Sequence, residues 1–199
     1  IISEENFMAD NGVVSMLKLR SSYGLTGNAD IPNYQYQGGY QPANYGNTSG
    51  LVTDRVPNGD LSWETTAQLD LGIDIGLLND RLSMQFDYYN KQTTDLLLDR
   101  EIPSITGFST VLDNVGTLEN KGIELVINYA IIRNNALTWN VGMNFSKNEN
   151  KVLSLTNGET MIDPSSTRFM NVVKVGEPIG VFYGAQYAGV NPANGDALW

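Results

Sequence analysis

Two carboxylates are the first residues of this chain whose types and spacing could do chemistry. Asp74 and Asp87 lie on successive segments in which apolar and polar residues alternate. If the segments pair as a hairpin, the two residues are diagonal neighbours, about 7–8 Å apart. Two carboxylates at such a distance can form the acid and base of a glycosidase. No neighbouring feature supports that role, and two solvated charges on a wet sheet face explain the pair. We predict no catalytic residue.

Two loop segments, TDRVPNGD and NPANGD, contain oxygen atoms that a hard cation such as calcium would accept. The candidate ligands are Asp54, Asn58, Asp60, Asn191, Asn194 and Asp196. The same residue types, with Gly and Pro, also form Asx-type turns that reverse the chain. We favour turns and predict no metal site.

The candidate ligand-binding residues are four tyrosines of the segment NYQYQGGYQPANYGN: Tyr34, Tyr36, Tyr40 and Tyr45. Flat aromatic faces can cover the apolar faces of sugar rings, and Gln and Asn between them supply hydrogen-bond partners. The same side chains could instead pack the loop or contact a partner protein. The Gly, Asn and Pro residues of the segment predict an irregular loop.

Composition excludes several classes of function. The 199 residues include no cysteine and no histidine, so there is no disulfide, no thiolate nucleophile, no Ser-His-Asp triad and no Cys or His metal cluster. The net charge of −10 at pH 7 repels phosphate backbones. We therefore predict neither an enzyme nor a cofactor, and no nucleic-acid partner.

The elements that would position these residues are strands. Apolar and polar residues alternate with the period of two that a half-buried strand requires. The alternation covers five segments: 17–25, 63–77, 82–89, 122–131 and 137–148. The many Gly, Tyr, Asn and Thr residues also favour strands over helices. We predict an all-β fold, an antiparallel meander of about five long strands.

The turns predict the register of the meander, because a one-residue slip would send a whole apolar set to the wrong face. A two-residue turn at Asn79 and Asp80 pairs Leu77 with Leu82 and brings apolar residues together along the hairpin. A three-residue loop over 133–135 does the same for the last two segments. Its predicted pairs are Ile131 with Leu137, Tyr129 with Trp139, Ile127 with Val141 and Leu125 with Met143.

Two architectures fit this alternation: a soluble β-sandwich, with the apolar face in a core, and a membrane β-barrel, with the apolar face in lipid. The apolar stripes run for about nine to eleven residues, as bilayer-crossing strands do. Aromatic residues lie towards the stripe ends, like the girdles at membrane interfaces. Tight turns share one end of the meander and long loops the other, as in outer-membrane barrels. These features favour the barrel.

Four segments carry a resemblance to a known family. They are LSWETTAQLDLGIDIGLLNDRLSMQFDYYNKQTTDLLL, NVGTLENKGIELVINY, WNVGMNFSKNENKVLSL and VGEPIGVFYGAQYAGVNPANGDALW. In this order they closely resemble segments of the SusC/RagA-like TonB-dependent transporters of the Bacteroidetes outer membrane. The resemblance implies a large transmembrane barrel of the 22-stranded class that contains a plug. It also implies import of oligosaccharides or peptides, with a SusD-like surface lipoprotein as partner.

The resemblance also predicts which part of such a protein this chain is. We expect about five strands from the C-terminal half of the barrel, in contact with outer-membrane lipid. Residues 1–149 would form barrel strands with long extracellular loops, and residues 150–199 an extracellular loop region that leads towards the next strand. Contact with the TonB complex would pass through an N-terminal region outside this sequence. The alternative is a secreted carbohydrate-binding β-sandwich module.

Overall fold

The structure is a computed structural model that describes residues 1–8, 12–162 and 171–199. Strands dominate it, and the only helical turns in these ranges are short 3₁₀ turns at Ile2–Glu4, Asn6–Met8, Ser104–Thr106 and Thr156–Gly158. The strands are β1 (Val14–Asn28), β2 (Gly39–Tyr45), β3 (Thr48–Arg55), β4 (Glu64–Leu77), β5 (Leu82–Thr94), β6 (Leu97–Glu101), β7 (Thr110–Asn114), β8 (Gly116–Arg133), β9 (Thr138–Leu155), β10 (Met161–Ile162), β11 (Asn171–Lys174), β12 (Val181–Phe182), β13 (Gly189–Val190) and β14 (Ala197–Leu198). No described helix is long and apolar enough to span a membrane.

One five-stranded antiparallel sheet forms the body of the structure, in the order β1-β4-β5-β8-β9. Its strands are 13 to 18 residues long, more than twice the usual length of about five or six. The predicted meander of five long strands is therefore confirmed. The tight turns between β4 and β5 and between β8 and β9 lie at one end, which we call the turn end. The long connections lie at the other end, the loop end.

The first tight hairpin has the predicted register. Leu77 pairs with Leu82, and Ile73 pairs with Phe86. The chain reverses through residues 78–80, which all have positive φ, and the Arg81 N–H donates to the Leu78 carbonyl oxygen at 3.4 Å. Such left-handed turns match the twist of the strands they join.

The predicted register of the second tight hairpin is wrong by two residues. Tyr129 pairs with Val141 instead of Trp139, because the loop covers residues 134–137 instead of 133–135, which by itself would move each partner by three positions. The Asn134 side-chain oxygen closes this loop by accepting hydrogen bonds from the N–H groups of Ala136 and Leu137, at 2.9 and 2.8 Å. A β-bulge between Ala130 and Ile132 takes back one residue of this shift, which leaves two. A shift of two keeps the side chains up to the bulge on their predicted faces, whereas beyond it Ile132 instead of Ile131 pairs with Trp139.

The connections at the loop end contain strands of their own. The segment predicted as an irregular loop forms β2, which pairs with β3 across a tight turn at Gly46, where φ is +59°. The connection between β5 and β8 contains a second hairpin, β6 with β7. Pairing with β3 and β7 satisfies backbone groups that an open loop would leave to water.

The buried apolar core lies at the loop end and not on the apolar face of the main sheet. It contains Val115, Val152, Leu155, Ile162 and Val173. Val152 lies on the same sheet face as the polar side chains, so the core covers that face near the ends of β8 and β9. Across the sheet, no second layer of the described residues covers the apolar face, where Leu19 is 59% and Met143 55% exposed. A β-sandwich would bury this face.

Candidate functional site

The two faces of the main sheet carry different side chains on every strand, apolar on one face and mainly polar on the other. Paired residues share a face, so the register assigns each side chain. The apolar face presents Leu17, Leu19, Leu71, Ile73, Ile75, Met84, Phe86, Leu125, Ile127, Met143 and Phe145. The polar face presents Lys18, Arg20, Asp70, Asp74, Gln85, Asp87, Glu124, Asn128 and Asn144.

The two carboxylates considered as a glycosidase pair are bound by one guanidinium group. Arg20 Nη2 lies 2.8 Å from Asp74 Oδ1 and 2.7 Å from Asp87 Oδ1, so the ion pairs join β1, β4 and β5. Gly72 makes room for this group, since a Cβ there would lie 2.6 Å from Cζ of Arg20. The guanidinium group thus joins the two carboxylates into one ion-paired cluster. Arg20 therefore crosslinks three strands on the polar face of the sheet.

Three of the residues considered as calcium ligands, Asn58, Asn191 and Asn194, form Asx-type turns, and Asp54 lies on β3. The Asn58 side-chain oxygen accepts from the Asp60 N–H at 3.2 Å, and Asn191 accepts in the same way from the Ala193 N–H at 3.0 Å. Asn194 accepts from the backbone N–H two residues later, at 3.2 Å. In the described ranges no three acidic side chains lie close enough together to hold a metal ion. The favoured interpretation as turns agrees with this geometry.

Asparagine side chains join the segments at the loop end into one unit. Asn114 Nδ2 donates to the carbonyl oxygens of Ser62 and Asp95, at 3.0 and 2.8 Å. Its side-chain oxygen accepts from the Ser62 N–H at 2.9 Å. The Thr156 hydroxyl donates to the Asn114 carbonyl oxygen at 2.7 Å. The connections before β4 and before β8 are thus tied to the end of β9.

A cavity of about 550 Å³ lies between these joined segments, and we call it the loop cavity. Asn58, Arg100, Asp113, Asn114 and Thr156 provide polar groups to its lining, alongside apolar side chains. An ion pair of 3.2 Å joins Arg100 and Asp113. The volume is within the range of small-molecule sites, about 300–1,000 Å³. The loop cavity is therefore large enough for a small polar ligand.

The four candidate tyrosines do not form one platform. Tyr40 is 69% and Tyr45 93% exposed. Both lie on β2, five residues apart, so they point to opposite faces of the hairpin. Tyr34 lies in the turn before β2, with φ of +62°. Tyr36 is the nearest to the loop cavity, because its carbonyl oxygen accepts from the N–H of the cavity residue Asn58 at 3.0 Å.

Sequence reasoning did not find most of the polar lining of the loop cavity. Arg100, Asp113, Asn114 and Thr156 come from connections whose partners are far away in the chain. Asn114, for example, contacts a residue 52 positions earlier. The sequence contains one local signal for the β6–β7 hairpin that supplies Arg100 and Asp113. Short apolar runs lie on either side of the turn at residue 107, as in a hairpin.

Fold and faces together define the class of this protein. The strands are long and form one continuous sheet with folded loops at one end. One face of the sheet is apolar and uncovered, and the other is polar and crosslinked by ion pairs. This combination defines a piece of the wall of a transmembrane β-barrel.

Comparison with known proteins identifies the barrel. The model of the family described as TonB dependent receptor-like, beta-barrel, matches residues 10–197. The chain therefore belongs to the TonB-dependent receptor family and forms part of its β-barrel. The family comprises outer-membrane receptors and transporters and not enzymes. The predicted resemblance and the predicted location in the outer membrane are confirmed.

Individual members of the family match most of this chain. The chain is 39% identical over 198 residues to TonB-dependent receptor P3 of Formosa agariphila, with 95% of this chain and 20% of the relative covered. It is 36% identical over 167 residues to TonB-dependent receptor SusC of Bacteroides thetaiotaomicron, with 79% and 17% covered. The solved structure of the RagAB peptide transporter matches with a TM-score of 0.84 at 33% identity, over 98% of this chain and 21% of that chain. The chain thus spans about a fifth of the length of these proteins. This membership, with the uncovered apolar face, rules out the alternative of a secreted β-sandwich.

Proposed function

We propose that this chain forms part of the wall and the extracellular mouth of a TonB-dependent transporter that imports oligosaccharide or peptide nutrients. The observation that carries the proposal is the two-faced sheet. Its apolar residues are aligned across five strands on an exposed face, and its polar face continues into folded loops. The apolar face contacts outer-membrane lipid, and the polar face borders the lumen. Relatives named SusC and RagAB peptide transporter support a role in nutrient import.

We assign the ends of the sheet from the lengths of its connections. Outer-membrane barrels keep short turns in the periplasm and long loops outside the cell. The turn end is therefore periplasmic and the loop end extracellular. Residues 1–149 supply barrel strands with their loops, and residues 150–199 belong mainly to the extracellular loop region. The strand β9 extends six residues past that boundary, to Leu155.

The partners follow from the same family membership. A SusD-like surface lipoprotein would lie over the loop end, and the TonB complex would act through an N-terminal region outside this sequence.

Substrate contact is proposed for the loop end. The Tyr36 carbonyl oxygen contacts the cavity residue Asn58, so Tyr36, together with Tyr34 two residues before it, would bring an aromatic face to the polar lining and hold one substrate unit. Tyr40 and Tyr45, exposed on opposite faces of the β2–β3 hairpin, would contact substrate or the lipoprotein as the substrate enters. Ligand contact of all four is part of this proposal.

The test is uptake by cells that carry the full-length protein. Cells would be given fluorescent oligosaccharides and fluorescent peptides in parallel, with and without a protonophore, since TonB-dependent import needs the proton gradient. Uptake of one class that stops with the protonophore is the expected result. Replacing Tyr34, Tyr36 and Tyr40 with Ala should lower uptake at unchanged surface abundance.

Tyr23→Ala is the matched control for the tyrosine variant. Tyr23 is as exposed as Tyr40, at 69%, but it lies on the apolar face of β1 and points towards lipid. Uptake per assembled barrel should therefore stay unchanged in this control. If the wild type imports neither class, or imports one without a proton gradient, the transporter proposal is wrong. If uptake per barrel is the same in the triple variant, the tyrosines are not substrate contacts.

A further inference from the structure

The apolar face of the main sheet changes to a charged surface towards the loop end. On β8 the lipid-facing series continues from Ile123 to Lys121 and Glu119. On β9 the equivalent series continues from Phe145 to three charged residues, Lys147, Glu149 and Lys151. All of them occupy the alternate positions that share the face of the apolar band. The charges are therefore on the outside of the barrel and not in the lumen.

The level of this charged surface can be read from the register. Tyr88, Ile123 and Lys147 are paired across β5, β8 and β9. A tyrosine at the edge of an apolar band marks the membrane interface. Lys121 and its partner Glu149 lie two residues closer to the loop end than Ile123 and Lys147. Two residues span about 7 Å along the strand, which is about 5 Å in height above the tyrosine level at a strand tilt of about 45°. This places the charges at the level of the lipid head groups of the outer leaflet.

A groove of about 230 Å³ lies at this level, lined by Tyr88, Ile123, Lys121, Lys147 and Glu149. We call it the outer groove. The apolar part of its lining is Ile123 and the ring of Tyr88, and the charged part is formed by the two lysines and the glutamate. An amphipathic molecule with a charged head and an apolar remainder would match this division.

The charges of the outer groove are only partly matched within the chain. Lys121 Nζ lies 3.1 Å from Glu119 Oε2 and 3.9 Å from Glu149 Oε1. Asn90 Nδ2 also donates to Glu119 Oε1, at 3.1 Å. Lys147 is exposed and forms no ion pair with a described residue. Three lysines face two glutamates here, although the whole chain carries a net charge of −10.

We propose that the outer groove binds the phosphate-bearing head group of an outer-leaflet glycolipid. Lys147 and Lys121 would contact the phosphate as point charges, and Tyr88 and Ile123 would contact the adjoining apolar part of the lipid. The proposal rests on the proposed place of this chain in the barrel wall, since only there is the groove exposed to lipid. Charge complementarity favours this occupant, because the local excess of lysine lies at the level where lipid phosphates are concentrated.

The test uses the full-length protein, purified in detergent, and lipid A that carries phosphate as the probe. Native mass spectrometry would measure the affinity for bound lipid. The double variant K121Q/K147Q should bind roughly thirty-fold more weakly, because each lysine near a lipid surface contributes about a fivefold step. Lipid A from which phosphate has been removed should bind the wild type as weakly as intact lipid A binds the double variant.

Lys91→Gln is the matched control. Lys91 pairs with Asn120 and lies within one residue of the level of Lys121, but it is on the lumen face, so lipid A binding should not change. Equal affinity of the wild type and the double variant, or equal binding of dephosphorylated lipid A, would overturn the proposal. Inorganic phosphate that binds as tightly as lipid A would make the outer groove a site for a soluble anion and would also overturn it.

Uptake by the wild type separates this proposal from the proposed function. If uptake is present and the lysines do not affect lipid A binding, only the glycolipid site is wrong. If uptake is absent while lipid A binds as expected, the transport proposal is wrong and the glycolipid site stands.

Discussion

Arginine in place of Ile73 should destabilise the full-length barrel far more than arginine one position away on the neighbouring strand. Ile73 is the middle one of five apolar residues on the lipid face of β4, four residues from Leu69 and four from Leu77. Four residues span about 14 Å along a strand and about 10 Å in height at a tilt of about 45°. The side chain therefore lies close to the middle of the hydrocarbon layer.

The magnitude follows from this depth. A lipid-facing arginine costs roughly 2–4 kcal/mol at the bilayer midplane and falls to about 0–1 kcal/mol near the interfaces. The population of unfolded barrel should therefore rise by about 30- to 700-fold. The matched control is Gln85→Arg. Gln85 adjoins the partner of Ile73 on β5, but it faces the lumen, where its side chain donates to Asp87 at 3.0 Å. An arginine there keeps water and a carboxylate as partners.

The assay compares both variants of the full-length protein in lipid vesicles. Urea unfolding would be followed by loss of the compact form on unheated gels, and assembly in cells by the amount of barrel in the outer membrane. Ile73→Arg should lower the unfolding free energy by the stated amount and reduce assembly, whereas Gln85→Arg should change it by less than about 1 kcal/mol. Equal destabilisation by the two arginines would refute the assignment of the faces.

Four further outcomes are expected. Single cysteines at Ile73 and Gln85 should differ in labelling by a membrane-impermeant thiol reagent, with only position 85 reacting before detergent is added; equal labelling would contradict the two-faced wall. Gly122→Ala should destabilise the barrel by about 1–3 kcal/mol in the vesicle assay, since the new Cβ would lie 2.6 Å from the Tyr89 hydroxyl; unchanged stability would show that this contact yields freely. Arg20→Met should lower stability by about 1–2 kcal/mol, since it removes the ion pair of Asp87 and leaves Asp74 with only the longer contact to Lys18, at 3.9 Å, a loss that Arg20→Lys should partly restore. The 199-residue chain alone should form large assemblies in size-exclusion chromatography without detergent, because β1 and β9 are the edge strands of the sheet and no described layer covers its apolar face; a sharp monomer peak would contradict this.

The predicted register succeeded in one hairpin and failed in the other for a physical reason. Alternation with a period of two detects a slip of one residue, because such a slip exchanges the faces. It cannot detect a slip of two. At Asn79 and Asp80 the two-residue turn removed this ambiguity, and the pair Leu77 with Leu82 is correct. Between β8 and β9 the loop closed by Asn134 and the bulge near Ala130 together shifted the pairs by two. The alternation of apolar and polar residues predicts neither feature.

The loop end was less predictable than the wall. The strand β2 contains Gly, Pro and Asn, residues that usually interrupt strands, and it forms because β3 pairs with it. Tyr40 and Tyr45 belong to one sequence cluster, yet the strand between them directs their rings to opposite faces. The loop cavity depends on contacts of Asn114 that reach 52 residues back in the chain. Such contacts have no local pattern.

By itself, the sequence determined the five long strands, the two faces of their sheet and the end at which the long loops gather. Each of these follows from neighbours along the chain, through alternation, turn residues and the lengths of the connections. Only the tertiary structure decided the bulged register of β8 with β9, the guanidinium of Arg20 between Asp74 and Asp87, and the loop cavity. The reason is distance: these features join residues that are far apart in sequence, and their energies depend on where the folded backbone places each side chain.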